Sequence, residues 1–225
     1  MLNWFLLEYE GAYILTVWGY VAVALVMASM IVAIYLLRPK KKDIRINKTK
    51  RLAFCSMALA LGFVTSYIKI IDMPLGGAAT LCSMLFITLI GYWYGLGTGL
   101  LTAFTYSMLQ FLQGPYMINF WQVCFDYIFA FTALGLSGLF TDAKNGLIKG
   151  YLVSIFARGL LHSIGGYLFY MEWIPETFPQ SLTSVYPLVY NYSYILAEGA
   201  ITVVILLIPA VKKAMERVKT MAIHE

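Results

Sequence analysis

Arg158, His162 and the pair Gly165-Gly166 fall on one face of a helix, if the apolar stretch from about Leu147 to Tyr170 is helical. That face holds a permanent cation, a titratable imidazole and a gap without side chains. An Arg at membrane depth is costly unless it meets an acid or water. Asp126, in a second apolar stretch, is an acid of similar depth, and it shares its helical face with Asn119 and Gln122. A third stretch places Asn191, Tyr194 and Glu198 on one face, below Tyr186 and Tyr190. Three polar stripes on otherwise apolar helices must face each other or a wet cavity. Their chemistry is that of binding: acceptors, donors and one cation, ringed by Tyr116, Trp121, Tyr127, Tyr170, Trp173, Tyr186 and Tyr190. Two blander readings stand beside this one. An Arg158–Asp126 ion pair can serve only to lock two helices, and Tyr and Trp form belts at any membrane surface. Glu198 has no basic partner in its own stretch.

Catalytic signatures are missing. The chain has no G-x-x-x-x-G-K-[ST], H-E-x-x-H, C-x-x-C or G-x-S-x-G motif. His162 and His224 are too few for a histidine-rich metal site. Cys55, Cys82 and Cys124 all lie in apolar stretches and give neither a disulfide framework nor a metal knuckle. No nucleophile and base stand at a recognisable spacing. The expectation is a protein that is not an enzyme, without metal or cofactor.

The elements that carry these stripes follow from composition. Of 225 residues 61% are hydrophobic and 12% charged, with mean hydropathy +0.77. That excludes an ordinary soluble domain and indicates an all-α, polytopic membrane helical bundle. The net charge of +5 is concentrated in two clusters, Arg38 to Arg51 and Lys212 to Lys219, each abutting an apolar stretch. Such placement fits cytoplasmic loops and anionic lipid headgroups, not nucleic acid. Seven spans are expected, at about 12–37, 52–71, 80–94, 97–112, 118–140, 147–170 and 186–211. The charge bias puts the N-terminus outside a cell membrane and the C-terminus in the cytoplasm. Residues 38–50 read as a basic cytoplasmic linker, and 212–225 as a basic cytoplasmic tail. Asp72 to Gly77, Gln113 to Tyr116 and a Pro-interrupted stretch from Met171 to Ser184 read as outer loops.

From about Arg51 to Val211 the chain resembles the thiamine-specific S-components of energy-coupling factor (ECF) transporters, the ThiT/YuaJ family. The resemblance rests on Tyr116 followed by Asp126-Tyr127, on Arg158, His162 and Gly166 at intervals of four, and on Tyr186 five before Asn191. It implies a six-helix S-component core over 51–211, with residues 1–37 as an extra N-terminal transmembrane helix. It also implies substrate-binding roles for Tyr116, Asp126, Tyr127, His162, Gly166, Tyr170, Tyr186 and Asn191. In the family the acid and His meet the thiazolium cation, while the Gly, Tyr and Asn positions bond the aminopyrimidine. The family's stacking Trp corresponds to Tyr170 here, with Trp173 three residues on as the other candidate. Asp126 is one methylene shorter than the Glu common in the family. Thiamine is then a transported ligand, and the energy comes from an ECF module of a membrane T-component and two ATPases. The family docks that module through small residues spaced Ala-x-x-x-Ala, for which this chain offers Ser56/Ala60 and Ala58/Gly62. Two alternatives are an S-component for a precursor such as hydroxymethylpyrimidine and a non-transport structural membrane protein.

Overall fold

The computed structural model describes residues 6–9, 12–37, 47–114 and 116–223. Most of the basic linker, together with Pro115 and His224, lies outside the described residues. The protein is an all-α membrane helical bundle with two small hairpins. β1 (Leu6–Tyr9) and β2 (Ala12–Leu15) pair antiparallel ahead of α1 (Val17–Leu37). α2 (Lys48–Ser66) starts inside the expected linker, because Asn47 caps it. The Asn47 side-chain oxygen accepts from Thr49 N at 3.0 Å and Lys50 N at 3.4 Å.

A hairpin of β3 (Lys69–Asp72) and β4 (Ala78–Thr80) then replaces the plain outer loop expected there. α3 (Ser83–Tyr94) has 12 residues and α4 (Leu96–Leu112) has 17. At a rise of about 1.5 Å per residue, α3 is too short to cross a bilayer core alone. The turn between them is made at Gly95, whose φ of +86° suits only glycine. Phe120–Phe140 is one rod of mixed winding: α5 (Phe120–Val123), a π turn (Cys124–Phe129), α6 (Ala130–Thr132) and a 3₁₀ run (Ala133–Phe140). α7 (Gly146–Phe169) and α8 (Tyr186–Leu207) complete the wall of the bundle. Among the described residues three helical stretches are long and apolar enough to cross a membrane: 120–140, 146–169 and 180–207.

The expected basic tail is instead α9 (Pro209–Ile223). Val211, Met215, Val218 and Ala222 recur at helical spacing and pack against the main core. Tyr94 donates to Ala222 O at 3.0 Å, and Lys219 donates to Tyr92 Oη at 2.9 Å. α9 therefore crosses the end of the bundle where α3 finishes, leaving Lys212, Lys213 and Arg217 exposed. Lys48 and Lys50 share that end, since Phe54 of α2 meets Trp93 edge-on.

Two cores hold the rods together. The larger is built from α3, the fifth rod, α7 and α8, with Met84, Ile87, Leu134, Tyr151 and Ile155 wholly buried. Glycines bring α3, α4 and the fifth rod into backbone contact: a Cβ on Gly99 would sit 2.5 Å from Gly91 Cα. The smaller core joins Phe104, Phe120, Cys124 and Ile128, with Ala22 of α1 packed on it. α1 thus leans on the back of the π turn.

The pair Ala58/Gly62 does not form a free docking stripe. Both residues are buried, and a Cβ on Gly62 would meet Ile87 Cδ1 at 3.2 Å. Their small size lets α2 approach α3. Ser56 and Ala60, two residues away and so on nearly the opposite face of the helix, are exposed.

Candidate functional site

A cavity of about 440 Å³ opens at the β3–β4 end of the bundle. That is within the usual size range for small-molecule sites. Its wall comes from the hairpin, the ends of α2 and α4, the π turn, α7 and α8. Tyr116, Asp126, Tyr127, His162, Gly166, Tyr170, Tyr186 and Asn191 all line it, as does Arg158. The three stripes read from helical phase therefore do meet. The sequence reading missed Ser66, Gln110 and Gln113, and the hairpin residues Lys69, Gly76, Gly77, Ala78 and Thr80. Ser66 and the two glutamines hydrogen-bond together, with Gln110 Nε2 donating to Ser66 Oγ at 2.9 Å. A glutamine near the end of an apolar helix was the available signal. Trp121 and Trp173 do not line the cavity and stay about half exposed.

The π turn sets the acid. It widens the helix locally, and such turns recur at functional sites. Asp126 Oδ2 accepts from Gln122 Nε2 at 2.8 Å and from Tyr170 Oη at 3.1 Å. Asp126 Oδ1 lies 3.2 Å from His162 Nδ1. Asn119 orders the start of this rod by accepting from Gln122 N at 2.9 Å. Gly165 is small for the same reason: a Cβ there would come within 2.9 Å of Asp126 Oδ1.

The expected Arg158–Asp126 ion pair is not formed among the described residues. His162 stands between them, and Arg158 Nε donates to His162 Nε2 at 3.3 Å. The guanidinium also lies 4.3 Å from the centre of the Phe131 ring. Spacing put Arg158 and Asp126 at similar depth, but the imidazole is one turn nearer the acid. The result is a relay from Arg158 through His162 to Asp126, along one wall of the cavity.

On the opposite wall Asn191 Nδ2 donates to Pro187 O at 2.8 Å, and Tyr194 Oη donates to Asn191 Oδ1 at 2.9 Å. One amide hydrogen of Asn191 is left for a ligand. Gly166 faces it, where a Cβ would be 2.7 Å from Pro187 Cβ. Tyr116 and Tyr170 stack at 6.4 Å with 27° between planes, and Trp173 meets Tyr116 edge-on. Tyr127 Oη accepts from Tyr116 N at 2.9 Å, which ties the far loop to the π turn. The carboxyl group of Asp126 lines the cavity with His162 and Arg158, beside aromatic rings and a free amide edge. That arrangement suits a flat aromatic cation with hydrogen-bonding edges.

Residues 52–217 match the family described as thiamine transporter protein (Thia_YuaJ). The chain is also 30% identical over 155 residues to the thiamine transporter ThiT of Bacillus subtilis (strain 168). That similarity covers 60% of this chain and 76% of the Bacillus protein.

Proposed function

The chain belongs to the thiamine transporter protein family, a membrane family of thiamine transport, and from that membership we propose that it is the substrate-binding S-component of an ECF-type uptake transporter. Its thiamine site is the cavity beneath the β3–β4 hairpin. The observation that carries this reading is that eight positions taken from three separate helices and a loop converge on one cavity.

In this reading Asp126 and His162 take the thiazolium, with Asp126 supplying the countercharge. Tyr170 rather than Trp173 stacks on the ligand, since only Tyr170 lines the cavity. Gly166, Tyr186 and Asn191 bind the aminopyrimidine edge, and Tyr116 and Tyr127 close the mouth. Arg158 holds His162 in place from below. The cavity opens outward, and the end bearing Lys48, Lys50, Lys212, Lys213 and Arg217 is cytoplasmic, as the positive-inside rule requires. Residues 51–211 form the S-component domain, and α1 is an added transmembrane helix ahead of it. Residues 38–50 are the cytoplasmic linker and 212–225 a cytoplasmic terminus. The chain binds and orients its ligand, and partner ATPases of an ECF module supply the energy.

Saturable binding of thiamine by the purified full-length chain tests the substrate. Tryptophan emission reports it, because Trp173 packs on Tyr116 at the cavity mouth. The expected result is quenching at or below micromolar thiamine, with the pyrimidine half competing only weakly. Silence at micromolar thiamine would overturn the substrate, and a pyrimidine half that binds as well as thiamine would point to a precursor. The exposed Ser56/Ala60 stripe is the docking face for the T-component in this reading. Ala60→Trp should therefore leave thiamine binding within about twofold, as surface changes do. It should also abolish co-purification of the ATPases. Retention of the ATPases would rule that face out.

A further inference from the structure

Glu198 is 1% exposed and does not line the cavity. Among the described residues no Lys, Arg or His forms an ion pair with it. A buried carboxyl group needs donors on its oxygens, and Glu198 has four. Oε2 accepts from Thr80 N at 2.8 Å and Thr80 Oγ1 at 2.7 Å. Oε1 accepts from Met84 N at 3.1 Å and Ser83 Oγ at 3.3 Å. The two backbone donors flank the start of α3, where the helix dipole also favours an acid. Cys82 between them is bent into the left-handed region, φ 55°. One side chain of α8 thus ties down the point where β4 of the hairpin becomes α3.

The hairpin's other attachment is different. Tyr190 Oη accepts from Gly77 N at 3.1 Å and donates to Pro74 O, at the tip. Tyr190 is half-buried and makes both contacts with one hydroxyl. Tyr190, Tyr194 and Glu198 recur every fourth residue, so α8 presents one face to the tip of the hairpin and to β4. Residues of that hairpin, Gly76, Gly77, Ala78 and Thr80, are also the cavity wall.

We propose that Glu198 is a positioning residue: it clamps the root of the β3–β4 hairpin to α8, so that the cavity wall pivots from a fixed base and the clamp sets how long a ligand stays. Its effect on the ligand rests on the thiamine-binding reading, while the clamp itself does not. An amide cannot replace the carboxyl group, because whichever way it turns Glu198→Gln puts an NH₂ against a backbone N–H, that of Thr80 or that of Met84. Thr80→Val removes one donor only, and Thr80→Ser keeps both.

The test has two arms, both on the full-length chain. Hydrogen–deuterium exchange of the ligand-free protein reads the Thr80 and Met84 amides. Glu198→Gln should speed them about tenfold or more, as loss of charge-assisted bonds implies. Thr80→Val should fall between that variant and wild type, and Thr80→Ser should match wild type. Stopped-flow displacement of thiamine forms the second arm. The dissociation rate should rise about tenfold in Glu198→Gln, with little change in association. A lower melting temperature with wild-type dissociation and wild-type exchange at both amides would overturn the proposal, because Glu198 would then only stabilise the bundle. If Glu198→Gln does not fold, Thr80→Val decides by the same readouts. If wild type binds no thiamine, the exchange arm alone decides the clamp, and the failure belongs to the substrate reading.

Discussion

Asp126→Asn should lower thiamine affinity about 10- to 150-fold, the value of a lost contact between charged partners at roughly 1.5–3 kcal/mol. The carboxyl group is placed by Gln122, Tyr170 and His162 before any ligand arrives. Such a group needs no rearrangement to meet a cation, which is why its charge counts for much in a shielded site. Asn is nearly isosteric, so packing survives, although its NH₂ opposes either the Gln122 amide or the imidazole. Asp126→Glu is the control. It restores the carboxyl group and should recover affinity to within about tenfold, the cost of a modest misfit. Equilibrium binding measured beside the melting temperature of the ligand-free variants separates the two effects. If folded Asp126→Asn binds thiamine like wild type, Asp126 serves the helix contacts only.

Gly135→Ala carries the largest expected effect on stability. Gly135 lies where the 3₁₀ run crosses α4, and an added Cβ would sit 2.5 Å from Leu100 Cα and from Gly99 C. Both are backbone atoms and cannot rotate away. On α4's other contact Gly99 already touches Gly91 of α3, so relief in one direction creates a clash in the next. Overpacking of this kind costs about 3 kcal/mol or more when nothing can yield. The measured outcome should be a sharp loss of monodisperse protein and a lowered melting temperature. Leu139→Ala, on a residue 58% exposed, should be close to wild type. Equal melting of both variants would show that the helices can separate without penalty.

Those two sites differ in how much of them the sequence discloses. Arg158, His162 and Gly166 could be placed on one face because helical phase is written in spacing, and α7 keeps its α-winding for 24 residues. The convergence of eight positions on one cavity followed from such phases and from the family spacing. The partner of Arg158 did not. Whether a guanidinium reaches an acid or an imidazole depends on about one turn of relative depth between two helices, and no spacing within one helix records that. Glu198 was opaque for another reason: two of its donors are backbone N–H groups, which have no letter in the sequence. The β3–β4 hairpin was hidden behind Pro74, Gly76 and Gly77, which announce a turn but not that its arms pair. α9 was legible in principle, since Val211, Met215, Val218 and Ala222 keep helical spacing through the basic residues. The charge of the tail drew attention from that pattern.

The π turn makes the site depend on residue count as well as residue type. A rod wound as a plain α-helix through Cys124–Phe129 would close its turns with about one residue fewer. Removing a residue there would leave sound backbone hydrogen bonds on both sides. The segments before and after would keep nearly the same phase, because the wide turn takes one extra residue through about the same sweep as an α turn. The change would fall on the turn itself, which carries Asp126 and Tyr127 and their bonds to Gln122, Tyr170 and Tyr116. When relatives are aligned, a single gap in this stretch is therefore a change in the turn that presents the acid, and two chains that differ by it place that carboxyl group differently even where every letter on either side agrees.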